Sequence, residues 1–75
     1  MKRYEVHYFT ENEGDGTHLG DVRFPETPQI GWTLIINQIR SGPRGRISSG
    51  IGVVVKVVME EESSLITVFV KETKL

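Results

Sequence analysis

The chain reads as an all-β protein, a single small five-stranded antiparallel, partly open barrel. Three observations predict this. β-Branched residues fill the apolar runs, glycine and proline punctuate the intervals between them, and no window joins a capping residue to a helical period. The 75 residues leave room for one domain. Folding at this size buries only about 60% of the surface that the unfolded chain exposes. With no cysteine, neither a disulfide nor a thiolate metal site adds stability, which leaves self-association as one remedy.

The strands follow in order. Residues 3–10 alternate Tyr4, Val6 and Tyr8 against Glu5 and His7, the period-two pattern of a strand. A glycine-containing acidic turn at 11–17 leads to a second strand at 18–24, completing a hairpin. Pro25 and Pro28 each remove a ladder donor and bias the preceding residue away from helix, so 24–31 is an irregular corner. Residues 32–39 alternate Trp32, Leu34 and Ile36 against Thr33, Ile35 and Asn37, with a bulge or the strand's end at Gln38 and Ile39. A Gly/Ser/Arg loop spans 40–50. The most apolar run follows at 53–59, with Val53, Val55, Val57 and Met59 on one face and Val54, Lys56 and Val58 on the other. A strand apolar on both faces is central, strongly curved or covered. A polar turn at 60–64 and a last strand at 65–71 complete the five. A core of this size takes up most of the six aromatic side chains.

This order of elements resembles small SH3-like and OB-like barrels over roughly residues 24–70, with Pro28, Gln29, Ile30, Gly31 and Trp32 as a PxxGW entry into a strand. Stand-alone barrels of this size are similar to many small phage-encoded proteins. The resemblance to OB-like barrels implies single-strand binding by bases stacked on exposed rings beside a basic groove. Phe9, on the face of Glu5 and His7, is the expected contact ring.

Charge is unevenly spread. The net charge is −1, yet residues 40–56 carry Arg40, Arg44, Arg46 and Lys56 with no acid, inside an otherwise acidic chain. The centre of the loop, Pro43, Arg44, Gly45 and Arg46, resembles the PRGR core of an AT-hook, in which glycine lets the backbone approach the minor groove while guanidinium groups enter its negative channel. Ile47 stands where that motif has a second proline. More broadly, three arginines on a glycine-rich loop suit the phosphates of DNA, RNA or a nucleotide. A solvated connecting loop has the same composition.

Other motifs are incomplete. Glu11, Glu13 and Asp15 with Gly16 match the opening of a calcium loop, but Val22 falls where the closing bidentate ligand belongs, so no metal is expected. Gly50, Ile51 and Gly52 precede a strand, whereas a nucleotide fingerprint opens a helix. His7 and His18 make a poor metal site by themselves and read as solvated. No nucleophile motif surrounds the serines, so the chain reads as non-enzymatic and without cofactor. No secretory leader or membrane-length apolar run is present, which fits a cytoplasmic protein with no membrane partner. Two functions remain. One is nucleic-acid or nucleotide binding through Arg40, Arg44, Arg46 and Lys56. The other is a protein-interaction role, either homo-oligomer assembly through 53–59 or a phage-type inhibitor meeting a basic partner through acidic segments 11–15 and 60–62.

Overall fold

The computed structural model describes residues 2–41, 46–61 and 65–73. Five strands form one sheet: β1 (Lys2–Phe9), β2 (Thr17–Phe24), β3 (Thr33–Ser41), β4 (Arg46–Met59) and β5 (Ile66–Glu72). A single 3-10 turn, Glu13–Asp15, is the one helical element among the described residues. The order across the sheet is β2-β1-β5-β4-β3, and the sheet curls into a half-barrel. No described helix is long and apolar enough to cross a membrane.

The sheet is mixed rather than wholly antiparallel, because β1 and β5 pair in parallel. The reason is directional. Five strands that alternate up and down leave the first and last pointing the same way, so joining those two requires a parallel ladder. The remaining seam, between β2 and β3, stays open among the described residues.

The core lies on the concave face. Tyr4, Val6 and Tyr8 of β1 point inward as their alternation predicts, meeting Leu19, Leu34, Ile36, Val54, Val68 and Val70. At Gly52, paired with Leu34 on one side and Glu72 on the other, a Cβ would run into the Val70 side chain and the Lys71 carbonyl. The neighbouring strands close down on a bare backbone there.

Three register shifts shape the curl. On β2, the pairing moves from Val22 opposite Tyr4 to Leu19 opposite Val6, and Asp21 takes a φ of 59°. Aspartate is among the few side chains that tolerate this region. On β3, the shift falls between Ile36 and Ile39. On β4, it falls between Val54 and Lys56 and overturns the expected alternation. An extra residue flips every side chain beyond it. Val54 and then Val57 face the core, while Val55, Val58 and Met59 are exposed. The run at 53–59 is therefore not two uniform apolar faces.

The corner between β2 and β3 is built from the PxxGW residues. Pro28 is fully buried, and the Tyr4 hydroxyl lies 2.9 Å from Thr27 Oγ1. Trp32 N donates to Gln29 O at 3.0 Å, closing a turn in which Gly31 has a φ of 95°, a conformation that favours glycine. Gly31 N donates to Val54 O, and Val54 N to Trp32 O, strapping the corner to β4. The Trp32 side chain stands 41% exposed instead of joining the core.

Candidate functional site

The stretch expected as an eleven-residue loop is mostly a hairpin. β3 runs on to Ser41 and β4 begins at Arg46, with Ile39 opposite Ser48, Arg40 opposite Ile47 and Ser41 opposite Arg46. β5 pairs with β4 only from Gly52 onward. Residues 46–50 consequently have β3 as their one ladder neighbour among the described residues, and the two strands continue as a hairpin arm from Gly52 to Arg46, about 20 Å measured along the strand at roughly 3.3 Å per residue. Residues 42–45, including Arg44, lie outside the described residues, as do the side chains of Arg40 and Arg46. From residue 27 to residue 59 the sequence has no aspartate or glutamate, so the corner, β3, the arm and β4 form one acid-free block.

Lys56 and Phe9 do not join the arginines. Lys56 is ten residues along β4 from Arg46, on the part of the strand that pairs with Phe69 of β5. Its ammonium lies 2.6 Å from Glu13 Oε1 and 4.3 Å from the centre of the Phe69 ring. Phe9, expected as an exposed contact ring, is only 7% exposed. It sits opposite Lys71 in the ladder, with its ring 6.0 Å from that of His7.

These residues belong to a second, smaller cluster on the convex face. His7, expected to be solvated, is 5% exposed. Its ring lies 5.0 Å from Phe69, and the 3-10 turn folds over it, so that Nε2 meets the Glu13 carbonyl. A carbonyl can only accept, so Nε2 carries the proton and Nδ1 is the acceptor for Nε2–H of His18, at 2.9 Å. Gly16 permits this closure, since a Cβ there would collide with the His7 imidazole. Glu13 is turned to Lys56 and Asp15 to Asn12, so the acidic turn braces the hairpin. Among the described residues no three His, Asp or Glu side chains converge on a metal position.

The open seam forms a groove of about 340 Å³. Val22 and Phe24 of β2 and Ile35 and Ile36 of β3 make its apolar walls, and Asp21, Arg23 and Asn37 are its polar lining residues. Among the described residues Arg23 makes no ion pair, whereas neighbouring Asp21 lies 3.4 Å from Arg3. Sequence reasoning did not find this groove. Its one trace was the alternation that set Ile35 and Asn37 on the face opposite Leu34 and Ile36.

The chain matches no protein-family model, no curated protein and no solved structure at a significant level. Fold and surface together define its class, a curled half-barrel with a two-stranded arm rooted in an acid-free block.

Proposed function

We propose that the protein is a non-enzymatic nucleic-acid-binding module that grips phosphates through the arm carrying Arg40, Arg44 and Arg46. The observation that carries this reading is the arm itself, a two-stranded ribbon that continues past the last β5 pair at the most basic part of the chain. Two-stranded ribbons fit the grooves of nucleic acids, and arginine forks match phosphate oxygens in pairs. An acid-free block keeps repulsion away from the bound phosphates, while the acidic remainder of the chain limits indiscriminate binding.

The test is fluorescence anisotropy with single- and double-stranded oligonucleotides over about 50–200 mM salt. Affinity should fall steeply with salt. Changing Arg40, Arg44 and Arg46 to alanine should lower the log–log slope by about one unit for each phosphate that an arginine no longer neutralises. A triple variant that binds as the parent does removes the proposal.

A second reading rests on exposed apolar side chains. Met59 and Ile30 are 71% and 68% exposed across a groove that Pro28 and Val57 also line, a surface suited to a protein contact or a second copy of the chain. Sedimentation showing a monomer at all concentrations counts against self-assembly. A larger species dispersed by Met59→Lys supports it.

A further inference from the structure

We propose that the seam groove between β2 and β3 seats one unpaired base of a single-stranded nucleic acid whose phosphates run along the arm. The inference rests on the arm reading and assigns it a ligand class and a second point of attachment.

The groove's volume of about 340 Å³ is that of a small-ligand site. Its walls offer the half-buried Phe24 ring and the 64% exposed Ile35, apolar surfaces against which a flat heterocycle can lie. Of the three polar lining side chains, Asp21 is paired with Arg3 at 3.4 Å, which leaves Arg23 and Asn37 to meet a base. The guanidinium of Arg23 has no ion-pair partner among the described residues and can stack on a ring or meet a phosphate. The amide of Asn37 presents both a donor and an acceptor to a base edge.

Two features favour this occupant over a β-strand from another protein. Each edge facing the seam carries a register shift, at Asp21 on β2 and between Ile36 and Ile39 on β3. Shifts of this kind blunt an edge against strand addition, because the ladder donors and acceptors fall out of step. The seam is also continuous with the arm. β3 leaves the groove at Asn37 and reaches Arg40 three residues later, about 10 Å along the strand. A duplex keeps its bases stacked and cannot fill the groove, whereas a single strand can splay one out.

Labelled single-stranded DNA, single-stranded RNA and a duplex of equal length are titrated against the protein and against Ile35→Ser, Asn37→Ala and the triple arginine variant. Both groove positions are exposed, and both substitutions are neutral, so fold and salt slope should be retained. Each groove variant should bind single strands about tenfold more weakly, with duplex affinity unchanged, since one stacked base is worth from a few-fold to a hundredfold. An abasic sugar-phosphate strand should bind the parent as weakly as a normal strand binds the groove variants. The DNA and RNA arms show whether the sugar is read. Amide shift changes in the parent should include 21–24 and 35–37 as well as the arm. If single strand and duplex bind alike and the groove variants change nothing while the arginine variant loses binding, the base site is wrong and the arm stands. If the parent binds no nucleic acid even at low salt, both ideas fall.

Discussion

Tyr8 places a phenol inside the half-barrel, where its hydroxyl reaches Ile51 O at 3.4 Å. Burial raises its pKa above the ordinary 10.0, and the Glu72 carboxylate pushes the same way. The unfolded chain therefore loses this proton first. The stability tied to the neutral phenol is complete below pH 10.0 and is lost as pH rises through the raised value. Tyr8→Phe should flatten that alkaline fall in denaturant midpoints measured on either side of the tyrosine range. At neutral pH it should cost at most about 1 kcal/mol, because the hydrogen bond is long. A variant that weakens with pH as steeply as the parent contradicts this. His7 marks the limit of residue-level reading. Its parity in β1 was legible, but its burial depends on Phe69 from the far end of the chain and on a turn folding back across it. The one local hint was a second large ring, Phe9, on the same face.

Among the elements, β4 shows why a sequence pattern reads well in kind and poorly in detail. A run of valines could only be a strand, yet the shift between Val54 and Lys56 is set by how the sheet must curl, which no local residue declares. The arm was hidden for the opposite reason, since glycine, serine and arginine read as loop although their backbones pair as far as Ser41 and Arg46. Gly52 joins the two halves of β4, and its neighbours leave no room for a methyl group. Gly52→Ala should cost about 1–3 kcal/mol, lowering the melting temperature by at least about 4 °C. Gly14→Ala, where nothing lies within 4 Å, should leave it nearly unchanged. Equal melting temperatures for the two variants would show that the sheet opens at Gly52 at little cost.

For the whole molecule, the all-β class and the five strands were legible because β-branched runs and turn residues alternate along the chain. The parallel closure and the open seam were not. They depend on which strands meet after the chain has turned four times, and the two-stranded arm and the groove both follow from that closure.

The same closure has a mechanical consequence. β1 and β5 are neighbours from Tyr4 opposite Ile66 to Phe9 opposite Lys71, so the start of β1 and the end of β5 lie at opposite ends of one ladder. Force drawing those ends apart loads the ladder in shear, straining all its hydrogen bonds together. Force applied across Thr33 and Val53, which face each other at the start of β3, peels bonds one at a time. Single-molecule stretching should therefore give a higher rupture force through the strand ends than through that pair, and equal forces would contradict the shear geometry. The ladder that holds the start of β1 and the end of β5 at its opposite ends thus acts as a mechanical clamp.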